Sequence, residues 1–191
     1  MLLKCDNENA IKAVVTDVCE LLKKEDGVER VSMEHSPPHD SQGNGGTEIG
    51  IKLVRGVFRT LRSCLQHRVG RTLPMHHPLT PWMLEHSAVL LDAVNRGTDG
   101  LTAWARVRGR PFGLKLYEFG ELVAYKIKSK GPEHDERGNM AMRSEVGVFL
   151  GYDRDTNEYI MFGDGQIRRA RALTMLAHEE KWRAEALEKV D

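Results

Sequence analysis

Asp6 and Glu48 are the residues of this chain whose types and placing best suit chemistry. Asp6 follows the apolar pair Leu2 and Leu3, and Glu48 closes the Pro-, Gly- and polar-rich stretch Ser36 to Glu48. Hard divalent cations such as Mg²⁺ choose oxygen ligands. Two-metal phosphoryl transfer needs carboxylates converging from separate elements, so that attacking and leaving oxygens are both stabilised. The order of residues predicts Asp6 at the C-terminal end of a strand, where α/β sheets gather their chemistry, and Glu48 in the first turn of a helix. The bland alternative is that both are solvated surface carboxylates, as most of the 28 acidic residues must be.

Positioning such a pair requires regular elements, and punctuation along the chain supplies them. Residues 1–5 read as a strand, 9–24 as a helix with an apolar stripe of Ile11, Val14, Val15, Val18, Leu21 and Leu22, and 28–33 as a short strand. Pro37 and Pro38 exclude helix locally, while Gly43, Gly45 and Gly46 free the backbone just before Glu48. A long helix is expected from about Thr47 to Val69, another from Pro81 to Gly97, and a shorter one over 101–108. Trp82 on the second of these reads as a packing anchor. Strands follow at 122–128, 146–152 and 159–162, separated by a polar loop over 129–144. Gly163, Asp164 and Gly165 suit a hairpin turn leading into a strand over 166–173 that carries Arg168, Arg169 and Arg171. The tail from His178 to Val190 reads as a helix.

Charge is unevenly spread under a net of zero. Residues 1–40 carry nine acids against five bases, and residues 49–84 carry six bases and no acid. Lys52, Arg55, Arg59 and Arg62 recur at helical spacing, opposite Val54, Val57, Phe58, Leu61 and Leu65. A cationic stripe of this kind meets phosphate by releasing counterions, which makes binding sequence-tolerant and salt-sensitive; the competing reading is an ordinary solvated helix face. Cys5, Cys19 and Cys64 are odd in number and widely spaced. They form neither a disulfide framework nor a zinc motif and read as buried small hydrophobes in a reducing compartment. The sequence shows no membrane-length apolar run and no secretory leader, so no membrane association is expected.

Several segments together resemble the integrase of copia-type retrotransposons, within the retroviral-like integrase family. Asp6-Asn7-Glu8-Asn9 is similar to that family's Asp-Asn-Gly-x-Glu segment, with Glu8 in place of the glycine. Pro38 to Glu48 resembles its Pro-x-x-Pro-Gln-x-Asn-Gly-x-x-Glu segment, with Ser41 in place of a proline. Trp82, Asn95-Arg96, Gly109-Arg110-Pro111, Phe119-Gly120 and Gly147 to Tyr152 continue the series in the family's order. The resemblance implies an α/β fold: a partial RNase H-like core with trailing helices over 1–113, a small carboxy-terminal antiparallel β module over 114–175, and a terminal helix over 176–191. It implies that Asp6 and Glu48 are catalytic and hold Mg²⁺ or Mn²⁺, and that Ser41, Gln42, Asn44 and Gly45 form the active-site loop. Lys52, Arg55, Arg59 and Arg62 would grip DNA. End processing and strand transfer, self-association on paired DNA ends and a nuclear location are implied with them. The family uses a third acid upstream of the segment matching Asp6, and this chain is expected to lack it and to be inactive alone. The alternative is a non-catalytic nucleic-acid-binding remnant of a retroelement.

Overall fold

A computed structural model describes residues 2–5, 9–24, 30–35, 45–126 and 142–190. The fold is mixed α/β, and the chain divides into two compact units, Met1–Lys52 and Leu53–Asp191. In the first unit, strand β1 (Leu2–Cys5) pairs in parallel with β2 (Ser32–His35), with helix α1 (Asn9–Leu22) between them in sequence. A parallel pair needs such a crossover, which is why the helix separates two strands of like direction. The second strand lies a few residues later than the span of 28–33 expected for it. Of the apolar stripe expected to pack, Ile11, Val14, Val18 and Leu21 are exposed, and Cys19 is the buried residue of α1.

Helix α2 (Gly45–Val69) begins in the first unit and continues through the second, ending where Gly70 turns to a left-handed φ of 67°. Helix α3 (Leu79–Val94) starts directly after Pro78. Helix α4 (Ala103–Arg108) is capped at both ends. The Thr102 hydroxyl accepts the Ala105 N–H at 3.1 Å, and Gly109 takes φ 67° and donates its N–H to the Ala105 carbonyl.

The rest of the second unit is an antiparallel sheet of β3 (Leu122–Lys126), β4 (Ser144–Asp153), β5 (Glu158–Gly163), β6 (Gln166–Ala170) and β7 (Leu173–Met175), in the order β6-β5-β4-β3-β7. The span 166–173, expected as one strand, is thus broken at Arg171 and Ala172, and its two parts lie on opposite edges. That placement forces curvature. From Ala170 to Leu173 the backbone reaches about 11 Å in three Cα steps of about 3.8 Å. Four gaps of about 4.8 Å would hold the edges of a flat sheet about 19 Å apart. The sheet must therefore roll into a partly open barrel. The β5–β6 turn uses Asp164 and Gly165, both at positive φ, as the sequence leads one to expect.

Strands β4 and β5 are buried on both faces. Val148, Leu150, Ile160 and Phe162 pack with Phe58, Leu65, Leu79 and Met83 of α2 and α3. Phe149, Tyr152, Tyr159 and Met161 point the other way, into a cluster with Tyr117, Val123 and Tyr125. Side chains of this size contribute about 1.5–3 kcal/mol each when fully buried. A bulge between Phe149 and Gly151 shifts the alternation by one residue, so that Leu150 stays on the helical side and Tyr152 returns to the face of Phe149. The tail is not the continuous helix expected over 178–190: it forms a 3₁₀ turn at His178–Glu180 and a short helix α5 (Ala184–Leu187). The reason is local. The Lys181 carbonyl accepts the Leu122 N–H at 2.8 Å, so the chain serves β3 at the point where a helix would need that carbonyl for itself.

Candidate nucleic-acid interface

Glu48 stands in the first turn of α2, exposed, as its position after the glycine stretch predicts. Gly45, expected in the loop before it, is the first residue of the helix. Asp6, Ser41, Gln42 and Asn44 lie outside the described residues. Among the described residues no group of three His, Cys, Asp or Glu side chains is arranged to hold a metal ion. Of the two carboxylates expected to hold Mg²⁺, Glu48 is the one among the described residues.

The cationic residues can be placed more fully. Lys52 belongs to the first unit and is exposed. Arg55 and Arg59, in the second unit, lie one helical turn apart and are exposed, with no ion pair or hydrogen bond among the described residues. Arg62 is engaged differently: its Nε donates to the Leu73 carbonyl at 3.2 Å, and its Nη2 donates to the same oxygen. That oxygen belongs to a buried residue in the extended stretch after α2, so Arg62 clasps the turn between α2 and α3 rather than presenting its charge to solvent. On the opposite face Phe58 and Leu65 are buried and Leu61 packs beside them, which is the amphipathic division that the spacing predicts.

The other arginine run is neutralised. On β6 and just beyond it, Arg168 faces Asp164 at 3.6 Å, Arg169 faces Asp153 at 3.2 Å, and Arg171 faces Glu158 at 3.2 Å. A groove of about 730 Å³ beside β4 and α5 is bordered by Arg183 and Lys189 but also by Asp164 and Glu185, so its charges balance. Both features balance their charges, whereas no acidic partner of Arg55 or Arg59 stands among the described residues.

Glu121 and His86 are among the polar residues buried in the second unit that sequence reading did not single out. Glu121 has no exposed surface; its Oε1 accepts the Glu118 N–H at 2.9 Å. Its Oε2 lies 2.9 Å from Lys181 Nζ but off a good hydrogen-bond line, an ionic contact. His86 on α3 is also buried, and burial lowers its pKa to about 4. Nothing local in the sequence marks either one, because each is buried by residues far away along the chain. Cys64, expected to be buried, is exposed on α2, while Cys19 is buried as expected. Trp82 packs at the edge of the helical core, in keeping with an anchoring role. Among the described residues no helix is long and apolar enough to cross a membrane. No protein-family model and no curated protein matches this chain.

Proposed function

We propose that this chain binds DNA through the phosphate backbone by way of α2, as part of an integrase-type protein with an RNase H-like core. The observation that carries the reading is the pair Arg55 and Arg59: exposed, one turn apart and free of acidic partners among the described residues, while the arginines of β6 are each matched by a carboxylate. Lys52, in the first unit, is likewise exposed. The parallel β1–α1–β2 arrangement is compatible with such a core. Backbone binding of this kind ignores base sequence, and its affinity falls with salt in proportion to the phosphates neutralised.

The test is the salt dependence of binding to a labelled duplex. For R55Q/R59Q the slope of log affinity against log salt becomes shallower by about 0.9 for each phosphate no longer neutralised, so by close to two in the double variant. Equal slopes and affinities for wild type and R55Q/R59Q would remove the basis of the reading.

The same reading gives Asp6 and Glu48 a shared Mg²⁺ or Mn²⁺ and assigns end processing and strand transfer to the integrase-type protein, acting on nuclear DNA and self-associating on paired ends. Joining of labelled donor DNA that needs Mg²⁺ and disappears in E48Q supports catalysis by this chain. Salt-sensitive binding with no joining is expected of both readings, an integrase-type chain inactive alone and a non-catalytic nucleic-acid-binding remnant, and the two part on metal-dependent joining once a segment bearing the third acid is supplied.

A further inference from the structure

We propose that His86 is an acid-sensitive latch, holding helix α3 on the five-stranded sheet while its ring is neutral and releasing the helix on protonation. The imidazole is 2% exposed, and neither ring nitrogen has a hydrogen-bond partner. It is held entirely by rings and apolar surface. Tyr152 of β4 stacks on it at 5.5 Å and 17°, Phe149 meets it edge-on at 5.6 Å, and Phe119 lies tilted at 5.5 Å. The adjoining space, bordered by Trp82, Gly151 and Ile160, is too small to admit a water-sized sphere. The site therefore offers the neutral ring good packing and offers an imidazolium neither solvent nor a counter-charge.

The groups around the ring do not supply that counter-charge. On α3 itself, Glu85 borders the same space but is exposed and makes no bond to the ring, and Asp92 is paired with Arg154. From β4, Tyr152 presents a phenol whose pKa is raised by burial, and Asp153 is paired with Arg169. From β5, Ile160 presents no charge. Beside Phe119, Glu118 is paired with Arg68 and Glu121 with Lys181. Gly151 of β4 faces the ring, and a Cβ there would meet Nδ1 in ordinary contact at 3.6 Å. Tyr152 also fastens the segment before β3: its hydroxyl accepts the Tyr117 N–H and donates to the Lys115 carbonyl. Displacing the ring thus loosens α3 first and the barrel mouth after it.

The direction in pH follows from linkage. The released state takes up a proton near the ordinary histidine value of 6.5, and the packed state does so near about 4. The packed state is therefore fully favoured above pH 6.5 and loses ground as pH falls from 6.5 to about 4, by about tenfold per pH unit and about 300-fold in all. Denaturant titrations of the full chain across this range, compared with H86F, measure the effect. Hydrogen exchange at about pH 5 locates it. The expected result is a steeper pH dependence in wild type than in H86F, with α3 amides losing protection before those of β4 and β5. Parallel pH dependences in the two chains, or simultaneous loss of protection in α3 and the strands, would overturn the proposal. Should H86F not fold, wild type alone decides the matter: a His86 ring midpoint well below 6.5, with α3 amides losing protection before those of β4 and β5, supports the latch, and a midpoint near 6.5 or simultaneous loss refutes it.

Discussion

Lys181 holds its ammonium 2.9 Å from a carboxylate that has no exposed surface, so one side chain carries most of the compensation for a buried charge. Breaking a buried pair from one side leaves the other charge stranded, at a cost of about 3–5 kcal/mol, whereas replacing both members by neutral groups is far milder. K181M is accordingly expected to lower the unfolding free energy by that amount, and E121Q/K181M to recover a large part of it, in urea titrations at neutral pH. Equal losses in the two variants would mean that the pair matters for packing and not for charge. At this scale the sequence was informative about residue type and silent about pairing. Glu48 announces an exposed carboxylate at a helix start through the residues beside it. Glu121 and Lys181 are sixty positions apart, and each resembles any surface charge until the tail crosses β3.

Helix α2 shows the same limit for a whole element. Its length, its apolar face and its glycine stop are all readable from period and composition. Lys52, Arg55, Arg59 and Arg62 read as equivalent because each falls on the face opposite Phe58 and Leu65. The structure separates them, since Arg62 finds the Leu73 carbonyl eleven residues further on and the others find no partner among the described residues. R62M is expected to destabilise the second unit by about 1.5–3 kcal/mol, as removal of a charged donor from a buried carbonyl does. R55M and R59M are expected to fall within about 0.5 kcal/mol of wild type, as surface changes do. Thermal unfolding of the three variants distinguishes a clasp from a phosphate-binding residue without any DNA present. The break between β6 and β7 was hidden for a related reason. No Gly or Pro stands at Arg171 or Ala172, and the interruption is imposed by the need for Leu173 to reach the far edge beside Tyr125.

Across the molecule, burial is divided unequally between the two units. In the second, α3 and α4 share a unit with the β module expected over 114–175, and large side chains fill both faces of β4 and β5. In the first, Cys19 is the buried residue of α1, while Ile11, Val14, Val18 and Leu21 remain exposed above a two-stranded parallel sheet. The helical period of α1 correctly located an apolar stripe, but period alone does not say what covers it. Parallel sheets are stable chiefly when both faces are buried, and a pair of short strands gathers too little surface to fold independently. Opening free energies should therefore differ widely along one chain. In native-state hydrogen exchange, amides of β4 and β5 are expected to exchange through opening of the whole second unit, with denaturant sensitivity to match. Those of α1 are expected to exchange through small local openings that depend little on denaturant. If α1 amides were protected as strongly as Phe149 and Met161, the exposed stripe would have to be covered in solution, and burial across the chain would be even after all.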